Sequence, residues 1–470
     1  MRQKLLYVLV ILTLLGTVSL FFPSSDNSQN FCSKISQHGI TWYLNEKRPC
    51  GQFANKDWWI LGPVVISRIT PDYNNGRNGW TVNPEKPVNA YDNRIPRNSF
   101  IETEIPALPF KATADQSIVK SVSDVNGKCR KSDSQKHPCY LKTVAVLTIL
   151  GKIPEDRGKT IFRPPYTGTA KPLYSVKKLK TDLLPSLPKV KNAPTLQWVE
   201  KEFSRVRFDH WNSWTGRYMH PVGNMPQYGS NIAISTNEAA LRLMLKDPLK
   251  RKRKALISYI QAGIDYYHMM KSGVNWRANG GHMAGRKLPI VFAAILLDHP
   301  EMKQDIANAP SYTFSEDDHT YFGNNNIALF GQECGEKGYW LRELKGRGKR
   351  DCRDPYGYID GGGSEIGAAY QTCCTAHAYK GAALAARLLP GGQDIWNHKP
   401  FFRYVDRWVD HGVWASPDPC SFKAPEQFSG QCVSGSGRFT DKHGKGADTG
   451  YYQSTFVNTM WNAYHSGLSM

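Results

Sequence analysis

The chain has 470 residues, 40% hydrophobic and 12% aromatic, and carries a formal net charge of +20. That length and apolar content exclude a disordered chain and leave room for two or three domains with a sizeable core. The cationic excess points to a polyanionic partner: an acidic polysaccharide, anionic lipid or extracellular nucleic acid.

The N-terminus, MRQKLLYVLVILTLLGTVSLFFPSSDNSQ, places Arg2 and Lys4 ahead of an uncharged apolar run over residues 5–22. Residues 1–24 read as a secretory signal peptide, with a retained N-terminal anchor as the alternative. No later segment is apolar and long enough to span a membrane, so a secreted or extracytoplasmic location is expected. The ten cysteines fit export. Eight fall in short-range couples, Cys32/Cys50, Cys129/Cys139, Cys334/Cys352 and Cys420/Cys432, which read as local disulfides. The ninth and tenth, Cys373 and Cys374, lie in CCTAH. There Cys373 and His377 have a helical spacing that could hold a metal, but the pattern reads first as buried or bridged thiols on a helix, and no metal site is expected.

Residues 30–170 hold short runs rich in β-branched and aromatic residues, such as DWWILGPVVISRITP and YLKTVAVLTILGK, cut by NNGRNG and PEKP. They predict a β-sandwich-like domain. Residues 171–195 are rich in Pro and Lys with little periodicity and read as a linker. From 196 to 470 the period becomes helical, in TLQWVEKEFSRV, TNEAALRLMLK, RKALISYIQAGIDYYHMMKSG, LPIVFAAILLDHP, KPFFRYVDRWVDHGVW and TGYYQSTFVNTMWNAYH. Strands first and helices afterwards predict an α+β multidomain chain rather than an alternating βαβ sheet. Some helices are amphipathic. Others, such as residues 288–297, are apolar all round and need protein on every side. Alternating outer and inner helices predict an α/α toroid, or partial barrel, whose loops line a central cleft. The KRKRK run at residues 250–254 fits the solvated face of a helix.

Ahead of the all-apolar helix stands NGGHMAGRK, with Asn279, His282 and Arg286 threaded between glycines. The glycines permit sharp turns and close approach of a ligand, and Pro289 falls in the first helical turn. A second cluster, FDHWNSWTGRYMHPVGNMPQYGSN, supplies His210, Trp211, Asn212, Trp214, Arg217, Tyr218, His220 and Tyr228, with no acidic residue after Asp209. Trp276 and Arg277 lead into the glycine-rich loop. Aromatics offer stacking platforms for sugars, while amides, imidazoles and guanidinium groups offer donors for a carboxylate. This set suits β-elimination on a uronic-acid polymer. Donors neutralise the carboxylate and hold the developing enediolate, while Tyr or His removes the C5 proton and protonates the departing O4.

On these residues the chain resembles polysaccharide lyases of the α/α-toroid kind, such as alginate and glucuronan lyases. The resemblance implies that Asn279, His282 and Arg286 neutralise the uronate and that Tyr218 or Tyr228 carries the proton. It leaves His210, Trp211, Asn212, Trp214, Arg217, His220, Trp276, Arg277, Glu365 and Tyr370 as substrate contacts. Many such lyases place the helical domain first, the reverse of the order here. No cofactor is required by this chemistry. A structural calcium ion has no recognisable ligand pattern, and nucleic acid is not an expected partner.

Two other readings stand beside it. A glycoside hydrolase on the same toroid would need two carboxylic acids across a cleft. Asp360 and Glu365 in YGYIDGGGSEIGAAYQ, or Asp317 and Asp318 in SEDDHTYFG, could serve. A non-enzymatic polyanion-binding wall protein would explain the charge and the aromatics, but not polar clusters at the mouths of buried helices.

Overall fold

The computed structural model describes residues 30–85, 87, 89–95, 99–125, 139–221, 230–322, 328–330, 375–411, 432–433, 438–439 and 454–468. Eight strands form the N-terminal part: β1 (Phe31–Gln37), β2 (Ile40–Gln52), β3 (Trp58–Leu61), β4 (Val64–Thr70), β5 (Trp80–Val82), β6 (Phe110–Ala112), β7 (Gln116–Ser123) and β8 (Leu141–Leu150). They join in the order β5-β7-β8-β3-β2-β4-β6, with β1 also on β2. This corrects the β-sandwich expectation, because one curled mixed sheet replaces two packed ones. The cause is the 13-residue β2. Its first residues pair with β4, β1 runs beside it as far as Pro49, and its last residues, Cys50–Gln52, pair with β3. The β3–β8 pair is parallel and the other pairs are antiparallel.

The curl gives the sheet two buried faces, which is why VAVLTIL in β8 is apolar without alternation. Ala145, Leu147 and Ile149 point into the curl with Ile40, Trp42 and Trp80. Val144 and Val146 point the other way, into a core shared with the helices. The Cys32–Cys50 disulfide closes the first hairpin. Cys139 is also disulfide-bonded; Cys129, Cys334, Cys352, Cys373, Cys374 and Cys420 lie outside the described residues.

The helices are α1 (Leu196–Phe203), α2 (Ser230–Met244), α3 (Leu249–Lys271), α4 (Lys287–Leu296), α5 (Pro300–Ala307), α6 (Ser315–Asp318), α7 (Ala376–Leu388), α8 (Gly392–Trp396), α9 (Lys399–His411) and α10 (Thr455–Tyr464). Every residue of α4 is buried, and the helix is surrounded by α2, α3, α5, α7 and α8. The chain is therefore α+β, with the helical body packed on one face of the sheet. None of the described helices is long and apolar enough to cross a membrane.

Residues 171–195 are pinned at several points. The Lys180 amide donates to the Leu296 carbonyl at 2.8 Å, and the Leu187 amide to that of Met244 at 2.9 Å. Just before this strap, the buried Arg163 joins the two halves of the fold. Its Nε donates to Asp57 at 2.6 Å and its Nη2 to Asp265 of α3 at 2.5 Å. Burial alone would lower the pKa of this guanidinium, but the two carboxylates outweigh it and hold the group charged.

Gly263 marks the closest approach of α3 to α4, since a Cβ there would lie 2.2 Å from the Pro289 carbonyl oxygen. Gly263→Ala must therefore separate two packed helices. We expect a loss of about 1–3 kcal/mol, seen as a lower urea midpoint with an unchanged slope.

Candidate functional site

The segment at residues 208–220 and the loop at residues 274–286 pack against one another. At their junction lies Asp209, 1% exposed. Its Oδ1 accepts from Arg286 Nη2 at 2.5 Å and lies 3.1 Å from His220 Nε2, while its Oδ2 accepts from the Tyr266 hydroxyl at 2.7 Å. The backbone carbonyl of Asp209 accepts from Trp276 Nε1 at 2.9 Å. Burial pushes the carboxyl pKa up. The Arg286 guanidinium outweighs burial, helped by His220 and Tyr266, and the pKa falls well below the usual carboxylate range. Burial and the same carboxylate raise the Tyr266 phenol, so it stays a donor. The residue before Asp209, Phe208, holds a left-handed φ of +35°, a strained conformation for a bulky side chain. Its ring stacks on Tyr91 at 4.2 Å, which fixes the turn against the sheet domain.

The glycine-rich loop is gripped from a second side by the short helix α6, whose three consecutive acids each take a different part of it. Glu316 Oε1 accepts from the Gly285 amide at 2.7 Å. Asp317 forms an ion pair with the buried Lys287 and accepts from Trp396 Nε1 at 2.8 Å. Asp318 accepts from the Ala278 amide at 2.8 Å and lies 3.5 Å from Arg277 Nε. Arg286 Nη1 donates to the carbonyls of His282 and Ala284 at 3.1 and 2.7 Å, bracing the loop from within. Gly285 has a φ of +98°, and a Cβ there would meet the α2 backbone at Ala233 at 2.5 Å. Only glycine lets the loop sit this close.

The sequence-predicted residues divide into two groups. Arg286, His220, Trp276 and His210 turn inward and are 2%, 0%, 0% and 0% exposed. His210 Nδ1 lies 2.9 Å from the Tyr166 hydroxyl. These four position the site from below. Asn279 is exposed, while His282, Trp211, Asn212, Trp214 and Arg277 are half-buried. Trp214 lies 6.2 Å from both the His282 and Tyr218 rings. Arg217 and Tyr218 are buried as well, and Arg217 Nη2 donates to the Tyr218 hydroxyl at 3.0 Å, with its guanidinium 4.8 Å from the ring. Trp211 Nε1 donates to Thr215 at 2.9 Å, and Asn212 Nδ2 to the Asn275 carbonyl at 2.9 Å. Arg277 lies 5.4 Å from the Tyr312 ring. Tyr228, Asp360, Glu365 and Tyr370 lie outside the described residues.

The line of aromatic and cationic groups continues onto the sheet domain. Tyr140 lies 6.0 Å from Tyr218, and Arg94 stands 5.3 Å over Tyr140 while holding Asp92. Sequence reasoning missed Tyr140, Arg94, Asp209, Tyr266 and Glu316. The signal for Asp209 was its isolation, because a lone acid in a cationic, aromatic segment needs a buried partner. Among the described residues, no group of three or more His, Cys, Asp or Glu side chains is placed to hold a metal ion. No protein-family model, curated protein or solved structure matches the chain.

Asp209→Asn would leave the Arg286 charge buried without its counter-ion. We expect it to destabilise the protein by about 3–5 kcal/mol and to alter the near-ultraviolet circular dichroism of Trp276. In the native protein, the stability from Asp209 is fully present above its unfolded-state pKa of about 4. It drains as the pH falls from there toward the depressed folded value. Acid titration of the Asp209→Asn variant should therefore lose less stability than that of the native chain.

Proposed function

We propose that the protein is an exported polysaccharide lyase that cleaves an acidic, uronic-acid-containing polymer by β-elimination on a toroidal helical domain. One observation carries this reading: the acids of the site are turned inward and engaged, while the groups left at its surface are donors, aromatics and cations. Asp209, Glu316, Asp317 and Asp318 all serve to hold the loop. Asn279, His282 and Trp214 ride above them, and Arg217 lies buried beside Tyr218. Such a surface attracts a carboxylated chain and supplies hydrogen bonds as charge moves onto the substrate carboxylate.

In this reading Asn279 and His282 bind the uronate at the +1 sugar and hold the enediolate. Trp214, between His282 and Tyr218, carries the sugar ring. Tyr218 exchanges the C5 and O4 protons, with Arg217 donating to the oxygen that does so. Arg286 is a positioning residue, reaching the substrate only through the loop it braces. The chemistry needs no cofactor.

The hydrolase reading is weakened at Asp317 and Asp318. A general acid and a nucleophile must face the substrate, whereas these two carboxylates are bound to Lys287, Trp396 and the Ala278 amide.

The purified protein should be incubated with alginate, glucuronan, pectate and glycosaminoglycans while ultraviolet absorbance from the new C4–C5 double bond is followed. We expect one polymer to give a rise. His282→Ala and Tyr218→Phe should each lower kcat by about 10²–10⁴-fold while retaining the folded circular dichroism spectrum. New reducing ends without absorbance would make the protein a hydrolase and overturn the proposal.

A further inference from the structure

A second charged feature lies away from the glycine-rich loop. Helix α2 starts beside that loop, where Ala233 packs on Gly285, and its other end carries Arg242. Nine residues of helix separate the two, about 14 Å along the axis. At this far end opens a groove of about 500 Å³ between the strap and the start of α3. Its cations are Lys189, Arg242 and Arg251, and its apolar lining includes Val190, Pro194 and Leu245.

The charge balance of the groove is one-sided. Asp247 is shared by Arg242 at 2.8 Å, Lys189 at 3.1 Å and Arg251 at 3.9 Å. Lys189 and Arg251 nevertheless remain 59% and 69% exposed. Exposed Lys250, Arg253 and Lys254 extend the positive surface along α3. Their position is unfavourable for the fold: they crowd the N-terminal end of a helix, where the backbone dipole already repels cations. The first turn holds no acidic residue, and its cap, Pro248, offers no side-chain hydrogen bond. Asp247, one residue before the cap, balances only part of this charge, and an anionic ligand would relieve the rest.

We propose that this groove is a second binding site, separate from the catalytic loop, for an anionic carbohydrate chain bearing carboxylates or sulfates. The lining selects among polyanions. It contains no aromatic side chain, so neither bases nor sugar rings can stack on aromatics there, a loss that weighs most on single-stranded nucleic acid. Its concave form also differs from the protruding helix or ribbon that enters a duplex groove. Aliphatic patches suit the faces of sugar rings, and the exposed Thr195 and Gln197 offer hydrogen bonds to hydroxyl groups. Such a site would hold the protein on its polymer between encounters at the loop, and its existence does not depend on the lyase reading.

The test is affinity of the full chain for heparin and alginate fragments across a salt series. The proteins compared are the native chain, Lys189→Gln/Arg251→Gln, and Lys34→Gln/Lys47→Gln, which removes the same charge from the sheet domain. Both altered residues of the groove variant are exposed, so it should fold normally. We expect its affinity to fall about tenfold or more with a shallower salt dependence, while the sheet variant changes little. The loss should also occur in a His282→Ala background, which separates groove binding from turnover. Equal loss in both variants would reduce the effect to net charge and overturn the proposal. So would tighter binding of single-stranded DNA than of either carbohydrate, abolished by the groove substitutions.

Discussion

The interaction on which the site depends is the two-sided grip on the loop at residues 277–287. Asp209 holds Arg286 from the side of the aromatic segment, and the three acids of α6 hold Gly285, Lys287 and the start of the loop from the other. Either set alone would leave the glycines free to hinge. Together they fix a backbone whose composition is otherwise the least fixed in the chain. A buried ion pair contributes little net stability over an apolar one, yet losing one partner is severe. Here the pairs serve geometry. They present Asn279 and His282 at a set height above a floor of buried, paired side chains, as a preorganised electrostatic site requires.

The same logic extends outward to the fold. Arg163, bridging Asp57 of the sheet domain and Asp265 of α3, sets how the helices sit on the sheet. Phe208 on Tyr91 does so again, immediately beside Asp209. Strain at Phe208 is thus supported by a contact with the β-rich part of the chain. Tyr140 and Arg94 bring the sheet domain to the edge of the aromatic line. The β-rich part therefore contributes directly to the wall of the site.

Much of the helical half was legible because its periodicity is strong. The apolar run at residues 288–297 could only be a helix buried on all sides, and α4 is that helix. The glycines with Asn279 and His282 marked the loop for the same reason, since polar groups beside a buried helix need a purpose. The sheet was less legible. Strand runs can be read from β-branched residues, but the bend of β2 that merges two sheets into one lies in long-range pairing. The inward roles of Arg286 and Asp209 were hidden as well. Residue type shows that a guanidinium can bind a carboxylate, and gives no indication of whether that carboxylate belongs to the substrate or lies seventy-seven positions earlier in the same chain.

The central claim is that the site breaks a glycosidic bond by elimination and not by addition of water. Its most direct measurement is mass spectrometry of oligosaccharides released from a uronic-acid polymer in water enriched in oxygen-18. Elimination gives products that carry no heavy oxygen from bond cleavage, with each new non-reducing end lighter by one water than a saturated uronate. Oxygen-18 at the newly formed chain ends, with saturated uronates on both sides of the broken bond, would contradict it.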